Sequence, residues 1–313
     1  MKRAGLAAAL AVAFLLAPAA RAGDYAAYGF SVLPDGSLAL SGYEVGPELN
    51  RNRLFEVFTA AEFGDAAMVT QGAVSTATGA WARLEIHENP HATLLLETAV
   101  PNALEWRLAP DVGAIVHGRW AEVGDDRTLG ALVVLGSADL AKSGERVTAV
   151  LGAGERALFR ASVGGDGLAA VLAEGGLAAD VYLGEPSDVV RYTTATVDAR
   201  LEGGVGTVRV TGAVRGQVLS VTFPRTAVDP ARLAVDGTSR LQAQPSLEAL
   251  QAAGTGYTVF ADDAAVEVVV LDDFAATTLR IGPLGPSLEA ILGVALAAGT
   301  FVAATLFAAR RRQ

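Results

Sequence analysis

The sequence predicts a mainly β protein: an antiparallel sandwich or barrel-like ectodomain in two parts, followed by one C-terminal transmembrane helix. Three observations carry this expectation. Apolar and polar residues alternate with a period of two in run after run, Gly, Asp and Pro punctuate those runs, and the long uncharged stretches stand at the two ends. The third also explains a mean hydropathy of +0.37, since the apolar residues are held in blocks rather than spread evenly.

Residues 1–22 read as a secretory signal peptide. Lys2 and Arg3 precede an apolar and small run from Ala4 to Ala17, and Ala20-Arg21-Ala22 supplies an A-x-A cleavage site. The run is too short to span a bilayer comfortably.

Residues 23–165 form the first β-rich part. Ala82, Leu84 and Ile86 alternate with Arg83, Glu85 and His87, and Leu104, Trp106 and Leu108 alternate with Glu105 and Arg107. Each run predicts a strand with one buried and one wet face. The stretch 166–185 breaks that pattern with Ala, Gly and Leu, and reads as a connector with a helix near Leu168 to Glu174.

A membrane-proximal, sandwich-like part follows over 186–282. Ala195, Val197, Ala199 and Leu201 alternate with Thr196, Asp198 and Arg200, and Leu219, Val221 and Phe223 alternate with Ser220 and Thr222. Leu247 to Ala253 predicts a helix, with Ser246 as its N-cap and Gly254 as its stop. Gly and Pro make residues 283–289 a short stiff linker.

Residues 290–309 carry no charge and give about 30 Å of helix, the hydrocarbon thickness. Arg310, Arg311 and Arg312 follow, so 310–313 is expected to be a cytoplasmic tail. The expectation is a single-pass type I membrane protein at the cell surface, with its ectodomain outside. Ala295, Gly299 and Ala303 fall four apart, a spacing that lets two helices approach closely and form a homo-oligomer.

The formal net charge is -10. Several bases sit in the terminal segments, leaving residues 23–285 nearer to about -15, which argues against binding nucleic acid or an anionic lipid surface. With no cysteine, an exported domain must be held by its core alone. None of the asparagines, at positions 50, 52, 89 and 102, begins an N-x-S/T acceptor.

Four patterns are candidate sites. His87-Glu88-Asn89-Pro90-His91 matches the zincin letters H-E-x-x-H, but Pro90 would lie inside the required helix, and the preceding residues alternate as a strand. All three histidines, His87, His91 and His117, and the tryptophans Trp81, Trp106 and Trp120 fall between 81 and 120. In a meander of neighbouring strands, His87 and His117 could meet on one polar face and bind a metal such as Zn, or with Trp81 a sugar ring or aromatic ligand; the residue types favour tryptophans in the core and histidines at turn edges. Gly152-Ala153-Gly154-Glu155-Arg156-Ala157 imitates a dinucleotide fingerprint, yet its setting among strands predicts a tight turn. Asp125-Asp126, Asp262-Asp263 and Asp272-Asp273 offer carboxylates that can gather Ca.

No catalytic motif survives its context. The sequence therefore predicts a non-enzymatic, membrane-anchored extracytoplasmic protein that binds another surface protein or a glycan, or forms part of the envelope. The alternatives are a metal-dependent hydrolase using His87, His91 and His117, and a self-associating surface scaffold.

Overall fold

The computed structural model describes residues 27–45, 52–124, 129–161, 167–213, 215–237, 239–274 and 277–283. The first strands are β1 (Ala27–Val32), β2 (Leu38–Val45), β3 (Asn52–Ala60), β4 (Met68–Gln71), β5 (Val74–Thr78), β6 (Ala82–His87) and β7 (Thr93–Thr98). After them come β8 (Asn102–Leu108), β9 (Gly113–His117), β10 (Trp120–Gly124), β11 (Leu129–Leu135), β12 (Ala141–Ser143), β13 (Arg146–Leu151) and β14 (Arg156–Ala161). Helix α1 (Gly167–Ala173) leads to β15 (Leu177–Tyr182), β16 (Asp188–Arg191), β17 (Thr196–Glu202), β18 (Val205–Thr211), β19 (Val218–Pro224) and β20 (Ala234–Asp236). Helix α2 (Leu247–Ala253) precedes β21 (Gly256–Ala261), β22 (Ala265–Leu271) and β23 (Thr277–Gly282).

Four sheets result. Sheet A has the order β1-β2-β3-β8-β13-β12, and sheet B the order β4-β5-β6-β7-β14-β11-β10-β9. Their facing side chains, among them Phe55, Phe58, Leu84, Leu96, Trp106, Leu132 and Phe159, make one core. Trp106 stacks on Phe58 with ring centroids 5.1 Å apart. The Lys142 ammonium donates to the Ala114 carbonyl at 2.8 Å, tying edge strand β12 of sheet A to edge strand β9 of sheet B.

Sheet C runs β16-β15-β19-β22-β21 and sheet D runs β17-β18-β23-β20. Between them lies a second core with Val181, Val208, Val221, Phe223, Val268 and Ile281. Among the paired strands of the described residues, the predicted antiparallel pattern has one exception, the parallel pairing of β15 with β19. It arises because the β17–β18 hairpin leaves for sheet D before the chain returns to sheet C.

A third apolar cluster joins the two halves. Leu95, Val133 and Leu158 from the outer face of sheet B meet Leu177, Val218, Val269 and Leu271 from sheet C, with Leu172 of α1 and Leu250 of α2. Hence β22 is buried along its whole length and β19 along all but its last residue. This corrects the expectation of one wet face: Ser220 and Thr222 are fully buried, because sheet B covers the face they occupy.

Both helices form where expected. The Ser246 hydroxyl accepts from the Ala249 N–H, and Gly254 closes α2 in a left-handed conformation. The stretch 166–185, expected as a helical connector, holds α1 and then β15, a strand within sheet C. Gly152 to Glu155 forms the turn between β13 and β14, with the Glu155 carboxylate accepting from the Gly152 N–H, and Arg156 and Ala157 open β14.

The expected signal peptide (1–22) and membrane helix (290–309, with Ala295, Gly299 and Ala303) lie outside the described residues. Among the described residues, no helix is long and apolar enough to cross a membrane.

Candidate functional site: a buried polar seam between sheets B and C

Strand alternation places Phe159 and Ala161 of β14 in the first core and turns Leu158 and Arg160 toward sheet C. On sheet C the same rule turns Asp180, Ser220, Thr222 and Glu267 toward sheet B, opposite Val181, Val221 and Val268. Within an otherwise apolar interface these polar side chains meet one another, together with His91 and Tyr192.

Arg160 is the hub. Its Nε donates to Asp180 Oδ2 at 2.7 Å and one terminal nitrogen to Asp180 Oδ1 at 3.1 Å, a bidentate pair. The same nitrogen reaches Glu267 Oε1 at 2.5 Å. Ser220 donates to that Glu267 oxygen at 2.6 Å, and the Tyr192 hydroxyl donates to Asp180 Oδ2 at 2.6 Å. Burial acts to lower the guanidinium pKa, but the adjoining Asp180 and Glu267 carboxylates outweigh it and raise the pKa above its ordinary value. Burial likewise acts to raise the Asp180 carboxyl, and the Arg160 charge overrides it, leaving Asp180 below its usual range. Burial and the neighbouring Asp180 push the Tyr192 phenol well above its ordinary range, so it serves as a donor.

His91 belongs to this cluster. Its Nδ1 lies 3.2 Å from the Ala161 carbonyl, an acceptor only, which fixes the proton on Nδ1. Nε2 then accepts from the Thr222 hydroxyl at 2.7 Å and faces Arg160 at 3.3 Å. Burial, with the Arg160 charge beside it, pushes this imidazole below its ordinary pKa, in keeping with the neutral tautomer.

His87 is held in the opposite state. Its Nδ1 sits 2.9 Å from Asp188 Oδ2 on β16, and its Nε2 sits 3.5 Å from Glu85 Oε2. Burial opposes its charge, yet the two carboxylates outweigh burial and raise its pKa to about 9. Asn89 completes the turn: its Nδ2 donates to Asp188 Oδ2 at 2.7 Å while its Oδ1 accepts from the His91 N–H. The H-E-x-x-H letters therefore lie at the end of β6 and in the turn to β7, and both histidines reach the second sheet pair.

His117 stands apart. The order of sheet B puts β9 five strands from β6, about 24 Å at the usual strand spacing. Its ring stacks on Trp120 with centroids 4.2 Å apart, and its Nε2 is 3.2 Å from Glu122. The meeting of His87 with His117 that a meander would allow does not occur, because β9 pairs with β10 at the far edge. Trp81 precedes β6, at the opposite end of that strand from His87 and about 20 Å from it at the usual rise per residue.

His91, Asp180 and Glu267 offer ligand atoms within 4.8 Å of one another, the one such group of three or more among the described residues. Neither Asp262-Asp263 nor Asp272-Asp273 contributes to one, and Asp125-Asp126 lies outside the described residues. A histidine with two carboxylates suits a metal such as Zn by donor type. The residues present do not fit one, however: Arg160 already places a cation among them, and Thr222 donates to the Nε2 lone pair.

Sequence reasoning missed Arg160, Asp180, Glu267 and Tyr192. A signal was available in Phe159-Arg160-Ala161, Ala179-Asp180-Val181 and Val266-Glu267-Val268, where a lone charge interrupts an apolar strand. Such charges in a doubly buried strand need one another.

No protein-family profile matches the chain, and no curated protein does. Among solved structures, a glycoside hydrolase family 81 protein from Clostridium thermocellum aligns with a TM-score of 0.42 and 9% identity. The alignment covers 81% of this chain and 35% of that one, so this chain spans about a third of its length.

Proposed function

We propose that this chain is a non-catalytic, membrane-anchored extracytoplasmic protein whose two sheet pairs act as one rigid β block for binding at the surface or for envelope structure. The observation that carries the reading is the seam. The cluster of ionisable side chains most able to do chemistry is sealed from water and fully committed to internal partners, with Arg160, Asp180 and Glu267 each at most 5% exposed. A group that never meets solvent or substrate serves packing. Residues 1–22 and 290–312 supply the export and anchoring part of the reading.

The test is expression of the full chain in a bacterial host, followed by fractionation and protease treatment of intact spheroplasts. The expected result is a membrane-bound product that begins at Gly23 and is digested from outside. A soluble, protected product that retains Met1 would overturn it.

A further inference from the structure

Beyond that reading, one cleft at the junction has the makings of a ligand site. A cavity of about 310 Å³ opens where sheet B, α1 and the strands of sheet C meet. Arg119, Leu135, Arg156, Leu172, Glu174 and Tyr192 line it. Junctions of this kind are common places for small-molecule sites, and the volume lies at the small end of their range.

The charge of the lining is unusual for so acidic a protein. Arg119 donates to the Gly136 carbonyl at 3.2 Å and to Glu174 Oε1 at 2.6 Å. Arg156 donates to the Tyr192 carbonyl and has no carboxylate partner among the described residues. A guanidinium has five N–H donors in a fork that matches a carboxylate, so both arginines retain capacity. Glu174 is the single acid in the lining, and its side chain is 76% exposed. It can therefore swing into water when a competing anion arrives, whereas Leu135 and Leu172 form an apolar wall.

We propose that this cleft binds a small organic carboxylate, its anionic end between Arg119 and Arg156 and its apolar body against Leu135 and Leu172. The Glu174 carboxylate occupies the anion's place until then.

The experiment is fluorine NMR of 4-fluorobenzoate titrated into the full chain in detergent micelles, with 4-fluorobenzamide as the uncharged probe. Saturable binding of the acid but not of the amide is expected. Arg156→Met should weaken it by about tenfold or more, the usual cost of losing a charged hydrogen bond. Glu174→Gln, at an exposed position that the fold does not need, should tighten it several-fold by removing the internal competitor. Equal binding of acid and amide, no saturable binding of the acid, or an affinity unmoved by Glu174→Gln would each overturn the proposal.

Discussion

His87 is a cation held by two elements, with Glu85 on its own strand and Asp188 on β16, while Arg83 and Arg191 act on Glu85 from outside. Its folded pKa of about 9 lies above the ordinary 6.5. The stability it contributes is therefore complete below pH 6.5 and is lost as pH rises through 9. For a largely buried group, a shift of this size corresponds to about 3 kcal/mol. Denaturant titrations of the wild type at pH 6 and pH 10 should differ by roughly that order, and His87→Gln should flatten the dependence. Arg160 presents the harsher case, because its removal leaves Asp180 and Glu267 buried without a counter-charge. Arg160→Met is expected to cost about 3–5 kcal/mol, and adding Asp180→Asn and Glu267→Gln should recover much of it, as read from urea midpoints.

At the scale of elements, strands with one wet face were legible and strands with none were not. In β17, Val197 is buried while Thr196, Asp198 and Arg200 are exposed, as the alternation implies. In β19 the same alternation misleads, since Ser220 and Thr222 satisfy hydrogen-bonding needs in a dry seam rather than facing water. Period two reveals that two faces differ, and it cannot say that a second sheet covers the more polar one. The histidines were legible as a cluster in sequence, but strand order, set by the return of β14 between β7 and β11, carried His117 away. Helix α2 was legible because its caps are local chemistry. Ser246→Ala should cost about 1 kcal/mol in a denaturant titration, through the orphaned Ala249 N–H.

Across the whole molecule, the four sheets stack A, B, C, D, with sheet B serving two cores at once. Two halves that share so much buried surface should not melt independently, although modular β proteins often do. Scanning calorimetry of the full chain is expected to show one transition for the two sheet pairs. Combining His87→Gln with Arg160→Met removes the main polar links between the halves, and should split that transition in two or lower its cooperativity. Sheet D holds β23, the last described strand before the proposed anchor, and sheet A lies three sheet spacings from it across the stack, about 30 Å.

The bond from Lys142 to the Ala114 carbonyl has a practical side. Lys2 and Lys142 are the only lysines in the sequence, and Lys2 falls in the proposed leader. An amine-reactive reagent applied to the mature protein would therefore modify, besides the chain's own N-terminus, a single place where one strand edge is latched to another. Acylating that nitrogen removes its charge and most of its donors. The rate of modification at Lys142 thus reports how often that ammonium leaves the Ala114 carbonyl.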